Sequence, residues 1–418
     1  MITTQDMEEM RREAHAIRES KVFKERGYKP FLKAGILNRG IQTVHTPFEL
    51  CYKIISKLSE SVDIKEQQIC VLFNLEFAIV LIEDFGGSPS QITFIADCPS
   101  KGAAARHWYN IKKVLQVSYD KARKNGERIK IMPKLKKQFN VVIMNPPYQA
   151  VGESNAKGGG SGSRNTIWDR FVLMALELLP DGGYLAAVHP VRWRKPEDKM
   201  FNVIASQDIL YLQMYSKNDG IKIFGASTPF DWYVLQKSNV QGKTVIVDAK
   251  GKKRELRLRD FSFIPNCDFD KIAEMLASEN DERCEILANR STYEHRKKWM
   301  REDRSGRYKH PCVHATGMNE IRYWYSSKRG EFFGVPKLIF GEADYVSSAI
   351  VDDQGEYAMT EGAMAIPIAS KKEGEEMKKA LESSEFNELL KNALRYSQFR
   401  IEYKIFRHFK ADFWKEFV

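Results

Sequence analysis

The sequence predicts an α/β fold: a doubly wound, mostly parallel sheet of about seven strands with a C-terminal region of mixed α and β structure. Three observations carry this. Up to about residue 240, short apolar runs alternate with stretches of helical period. Several of those runs close on residues that stop strands, above all "FNVVIMNPPYQ" from residue 139. After residue 240 the texture changes to hairpin-like and basic-aromatic pieces.

Taken in order, residues 1–40 read as an N-terminal helical extension, with a charge-laced helix over 6–25. "TPFELCYKIISKLSE" starts at Thr46 and Pro47 and spaces its apolar residues for one helix face, as a capped helix with proline in its first turn should. The series continues through "QICVLF", "EFAIVLIEDFG" and "ITFIAD", the helical stretch "AAARHWYNIKKVLQVSYDKARK", and the strands "RIKIM" and "FNVVIM". "TIWDRFVLMALELLPDGG" supplies the next helix, and "YLAAVHP", "DILYLQMY" and "FDWYVLQK" the remaining strands. "KTVIVDAKGKKRELRLRDF" reads as a hairpin beyond a domain boundary at 240, so the core domain is expected over 41–240 and a second region over 241–418. No internal repeat is evident, and the one low-complexity segment is "KGGGSGSRN", residues 157–165.

The chain is long enough, at 418 residues, for two domains or one elaborated α/β domain. A net charge of +11 favours a polyanionic partner such as nucleic acid. Six cysteines without a C-x-x-C pair indicate neither a zinc cluster nor a disulfide framework, which fits a reducing cytoplasm. The charged N-terminus and the lack of a long apolar stretch predict a soluble intracellular protein that neither crosses a membrane nor carries an export signal. His45 and His189 have no metal-spaced partner, and no metal is expected; His189 reads as packing at a strand end.

Asn145-Pro146-Pro147-Tyr148 is the most informative stretch. Two prolines fix two φ angles and remove two N–H donors, so the carbonyls of the turn are held rigidly. The Asn145 side-chain oxygen adds a second acceptor and Tyr148 an aromatic face. The exocyclic amine of a planar base meets those needs, with two N–H bonds to donate and a ring to stack. Its lone pair is delocalised into the ring; acceptors that draw the hydrogens out of plane make the nitrogen a nucleophile and stabilise the charge it gains in methyl transfer. An ordinary strand-to-loop turn is the simpler reading.

On this loop and its surroundings the chain resembles the amino-methyltransferases acting on DNA adenine, in the type IIG-like restriction-modification arrangement: cofactor motifs, then Asn-Pro-Pro-Tyr, then target recognition. The resemblance runs from about Thr43 to the C-terminus, through "HTPFELCYKIISKL", "FNVVIMNPPYQ", "IWDRFVLMALELLPDGGYLAAVHPVRWR" and "KIFGASTPFDWYVLQK". It implies a Rossmann-like methyltransferase sheet over 41–240, an α+β target-recognition region over 241–418, S-adenosyl-L-methionine as cofactor and double-stranded DNA as partner. By the same resemblance Asn145, Pro146, Pro147 and Tyr148 are catalytic. Thr46, Pro47 and Phe48 would meet the methionine end of the cofactor, and Asp97 would bind the ribose hydroxyls with Cys98 lining the adenine pocket. The chain departs from the family in the first strand-helix turn, where "VLFNLEFAIVLIEDFGG" replaces a glycine-rich loop. Asn74 and Glu76 would then contact the amino-acid portion through side chains.

Nucleic-acid contacts are expected from Arg164 and Asn165 in the glycine-rich segment, and from Arg296, Lys297, Lys298, Arg395 and Arg400 in the basic-aromatic stretches. The leading expectation is a DNA adenine-N6 methyltransferase that flips its target base. An RNA-base methyltransferase, a protein-glutamine methyltransferase and a DNA-recognition protein that no longer methylates are the alternatives, the last favoured by the missing glycines.

Overall fold

The computed structural model describes residues 45–97, 99–116, 135–148, 166–240, 242–288, 291–317, 320–343, 345–396 and 402–418. The expected helix over 6–25, the strand "RIKIM", the glycine-rich segment, and Cys98, Arg164, Asn165 and Arg400 lie outside the described residues. The chain divides into two units: the described residues up to Val191 with Asn202–Asp260, and Arg192–Phe201 with Phe261–Val418.

In the first unit the elements follow as α1 (Phe48–Ser59), β1 (Ile69–Leu72), α2 (Leu75–Phe85), β2 (Ile92–Ala96), α3 (Pro99–Tyr109), β3 (Lys113–Gln116), β4 (Val141–Met144), α4 (Trp168–Leu178) and β5 (Tyr184–Pro190). After α5 (Lys199–Ala205), whose first three residues fall in the second unit, come β6 (Asp208–Tyr215), α6 (Lys217–Phe224), β7 (Phe230–Gln236), β8 (Thr244–Val247) and β9 (Lys253–Leu256). The strands form one nine-stranded sheet in the order β3-β2-β1-β4-β5-β7-β6-β8-β9. β1 pairs in parallel with β2 and β4, and β7 runs antiparallel between β5 and β6. This is a Rossmann-like doubly wound sheet whose order reverses direction between β1 and β4, where such folds bind ligands.

Local chemistry explains the elements. β1, β2 and β4 are buried at every position, as uninterrupted apolar runs should be in a parallel sheet covered on both faces. α2 ends because Gly86 takes the left-handed conformation (φ 68°) and its N–H returns to the Leu81 carbonyl. α6 opens on a capping box between Ser216 and Asp219.

Two expectations are corrected. The helix expected to run through "KKVLQ" stops at Tyr109, and β3 follows. Asn110 is left-handed (φ 52°), a conformation asparagine tolerates, and the Ile111 N–H closes the helix end onto the Ala105 carbonyl at 3.0 Å. The boundary expected at 240 falls inside the sheet: β8 pairs in parallel with β6 and carries β9 as an antiparallel edge. The hairpin thus extends the first unit, which accounts with β3 for a sheet longer than seven strands.

The second unit contains α7 (Phe269–Met275), β10 (Met300–Arg301), β11 (His310–Thr316), β12 (Ile321–Ser326), β13 (Lys337–Gly341), β14 (Ile350–Asp352), β15 (Ala358–Met359), β16 (Ala363–Pro367), α8 (Lys371–Leu381) and α9 (Ser384–Ala393). Its strands form two small sheets, β10-β12-β11-β15 and β14-β13-β16. The segment 192–201 is pinned into this unit by the buried Arg194, whose guanidinium donates to the carbonyls of Ile264 and Pro265 and to Asn266 Oδ1.

Candidate active site

The C-terminal ends of β2, β1 and β4 deliver Asp97, Asn74 with Glu76, and Asn145 to one region of the first unit. β1 leaves the sheet through a γ-turn: the Asn74 N–H bonds the Leu72 carbonyl at 2.8 Å across Phe73, whose φ is 67°. Phe73 thus takes a backbone conformation suited to glycine. It is fully buried and stands edge-on to Phe171 of α4 at 5.2 Å between ring centroids.

The segment before α1 closes over this turn. Glu76, in the first turn of α2 and 0% exposed, accepts from His45 Nδ1 at 2.5 Å and from the Thr46 N–H at 2.9 Å, both through Oε1. Its other oxygen, Oε2, has no hydrogen-bond partner among the described residues. Burial alone would raise the Glu76 carboxyl, but His45 and then Lys101 hold it below the ordinary 4.5. Lys101, 1% exposed, also pairs with Asp97 at 3.2 Å, one helical turn along the chain.

Asn145 is 2% exposed and tied at two atoms. Its backbone N–H donates to Asn74 Oδ1 at 3.3 Å, and its side-chain Nδ2 donates to Thr46 Oγ1 at 3.0 Å. Neither Asn145 Oδ1 nor the Pro146 carbonyl accepts a hydrogen bond among the described residues. Pro146 and Pro147 are buried and Tyr148 is partly exposed. Burial, and then the negative charge of Asp231, push the Tyr148 phenol above its ordinary value, so it remains neutral. The Tyr148 carbonyl accepts from the Ile167 N–H at 3.1 Å, fixing the far side of the loop to the start of α4.

The structure brings Thr46, Asn74, Glu76 and Asn145 into one hydrogen-bonded network, with Asp97 beside it through Lys101. Phe48 instead packs in the core, edge-on to the His45 ring at 6.2 Å. Pro47 is the N-cap residue of α1 with no side-chain cap bond, so Thr46 does not cap that helix as expected: its hydroxyl is spent on Asn145. Sequence reasoning did not single out Lys101 or Asp231. Lys101 carries a signal, a cation four residues after the acid it pairs with; Asp231 is the lone charge in the apolar strand β7. His189 stacks on Trp168 at 4.5 Å.

In the second unit Arg296, Lys297 and Lys298 lie just before β10. Arg296 pairs with Glu294 at 2.7 Å. Lys297 and Lys328 sit over the Trp299 ring at 5.8 and 4.3 Å, and Arg301 and Arg307 over Tyr308 at 4.8 and 5.2 Å. The pairing of β10 with β12 places Met300 opposite Ser326 and so brings Lys328 to this group. Arg395 lies after α9, where its carbonyl accepts from Asn266 Nδ2 at 2.8 Å.

Fold and site together define the class: a Rossmann-like α/β unit with a buried Asn-Pro-Pro turn, followed by Tyr148, at the switch point of its sheet. Within it, residues 62–216 match the Eco57I restriction-modification methylase family. An uncharacterized adenine-specific methylase from Mycoplasma pneumoniae is 30% identical over 131 residues, a match spanning 28% of this chain and 29% of that relative. Among solved structures, the type IIG restriction endonuclease BpuSI is similar over 91% of this chain and 61% of its own, at 10% identity and a TM-score of 0.41. The methyltransferase subunit of a type I restriction-modification system from Streptococcus thermophilus is similar over 55% and 53%, at 15% identity and 0.37.

Proposed function

We propose that the protein transfers a methyl group from S-adenosylmethionine to the N6 amine of adenine in DNA. The observation that carries this is the state of the Asn145 corner: one side of the amide is tied by Thr46, while Oδ1 and the adjacent Pro146 carbonyl have no partner among the described residues. Two acceptors on a proline-stiffened turn hold the two hydrogens of an exocyclic amine and draw charge onto its nitrogen as it attacks. Tyr148 stacks on the base and restrains its plane.

The residues of the site fit the cofactor. Glu76 Oε2, a buried carboxylate oxygen without a partner among the described residues, suits the ammonium group of its amino-acid end. Asp97 suits the ribose hydroxyls, and Asn74, which accepts from the Asn145 N–H, immediately precedes the helix that carries Glu76. When bound, the cofactor supplies a methyl group on a positively charged sulfur. Asn145 Oδ1 and the Pro146 carbonyl would hold the two amine hydrogens while the nitrogen takes up that methyl group and gives up a proton to solvent.

Duplex DNA is the proposed partner of the second unit, whose cations are held on aromatic rings around β10 and β12. Among the described residues no helix is long and apolar enough to cross a membrane. One observation favours a second reading, a recognition protein without methylation: Phe73 fills the turn where the family has glycine. Transfer of tritiated methyl groups to duplex DNA, structured RNA and protein separates the readings. Incorporation into DNA adenine that is lost in Asn145→Ala is expected; no incorporation, with no calorimetric binding of cofactor at millimolar concentration, would overturn the enzyme reading.

A further inference from the structure

We propose that His295 is a specificity-determining residue, whose ring Nε2 reads the edge of one base pair in the duplex that the cations of the second unit hold. This rests on the reading of duplex DNA as partner. Phosphate contacts position a protein on DNA but carry no sequence, which is read by polar atoms held still against base edges. His295 is such a group. It lies in the basic-aromatic stretch before β10, and a single carboxylate, Glu361 between β15 and β16, grips it twice. Glu361 Oε2 accepts from the His295 backbone N–H at 3.2 Å, and Oε1 takes the ring Nδ1.

The direction of the ring bond is settled by its partner. Burial alone would raise the Glu361 carboxyl, but the His295 ring and the backbone amides of Glu361 and His295 hold it below the ordinary 4.5. At neutral pH it is therefore ionised and can only accept, so Nδ1 carries a proton. A half-turn of the ring would set a carbon against the carboxylate, which fixes the ring's orientation as well. Nε2 is what remains: it bonds no described residue, and the side chain is 36% exposed. In the neutral ring it accepts from the amine of adenine or cytosine, and in the protonated ring it donates to guanine; in either state it contacts one base pair. Trp324 of β12 and His314 of β11 flank the ring, at 5.3 and 5.7 Å between centroids. Trp324 packs on the same small core, around Met300 and Cys312, as Trp299, the ring that carries Lys297 and Lys328. Cations for the DNA backbone and a held ring for a base thus share one part of the second unit.

His295→Asn keeps an amide nitrogen where Nδ1 meets Glu361 and removes the atom at Nε2; Glu361→Ala keeps the ring and releases it. Duplexes that the full chain binds from a randomised pool are sequenced, and affinities are then measured for the selected site and its single-base-pair substitutions. The wild type is expected to discriminate at each read position by roughly fivefold to 150-fold, falling to about twofold or less at one base pair in His295→Asn. The other positions should keep their preference, and the slope of log affinity against log salt should not change, because no phosphate contact is removed. Glu361→Ala, which leaves His295 in place, should relax the same base pair and so gives a second, independent reading of it. Specificity unchanged in His295→Asn, a loss of affinity equal for all sequences, or a wild type that binds all duplexes alike overturns the proposal. These measurements need no methyl transfer. Methylated adenine formed by a His295→Asn variant of full specificity leaves the methylase reading standing and removes this one, whereas one relaxed base pair in a protein that methylates nothing does the reverse.

Discussion

At the scale of single residues, the site depends on which atoms of Asn145 and Glu76 are occupied and which are left. Asn145 and Tyr148 are legible in the sequence because two prolines after a buried strand leave the chain few conformations. The Thr46 bond is not legible: 99 residues separate it from Asn145, and only the folded sheet brings them together. Tyr148 gives a direct test of its stacking role. Phenylalanine keeps the aromatic ring, so Tyr148→Phe should retain most methylation. Tyr148→Ala should lose about 1–3 kcal/mol of base stacking, a fall of roughly fivefold to 150-fold in kcat/KM. Equal losses in both variants would place the function in the hydroxyl. Glu76 predicts an acid limit. Its folded-state carboxyl lies below the ordinary 4.5, so its contribution to stability is present above that value and is lost as pH falls from there through the folded value. Urea midpoints measured from pH 7 down to pH 3 should drop more steeply in the wild type than in Glu76→Gln; parallel profiles would contradict the assignment.

At the scale of elements, the first strand-helix turn shows where tertiary packing overrides a local rule. Glycine suits a residue at φ 67°, yet Phe73 stands there with its ring buried against Phe171. Strain at such a position costs about 1–3 kcal/mol, whereas removing a buried phenylalanine side chain costs about 3–5 kcal/mol. Packing therefore wins, and Phe73→Gly should lower stability by about 1–3 kcal/mol in chemical denaturation despite relieving the backbone. A stabilised variant would show that strain dominates. The strands of the parallel core were readable from apolar runs, because each is buried on both faces. β3 was not, because its short run "KVLQ" continues the helical stretch before it and the break rests on one left-handed asparagine.

At the scale of the whole molecule, the sequence showed a change of texture near residue 240 but not where the sheet ends. A hairpin looks the same in sequence whether it closes one sheet or opens another, and only the pairing of β8 with β6 assigns it. The basic surface of the second unit was likewise visible as segments, while the cluster around Trp299 and Tyr308 depends on β10 meeting β12. If that cluster holds phosphates, Arg301→Glu with Arg307→Glu should weaken duplex binding at every sequence. For every phosphate no longer neutralised, the slope of log affinity against log salt should become shallower by about 1. Unchanged affinity and slope would move the DNA surface elsewhere.

The most direct test of the central claim is sequencing, by a method sensitive to N6-methyladenine, of DNA from cells expressing the full chain or its Asn145→Ala variant. Methylated adenine within one recurring sequence context is expected for the wild type and none above background for the variant. Methylation that survives in Asn145→Ala, or its absence from both samples while the purified wild-type protein is folded and binds cofactor, would contradict it.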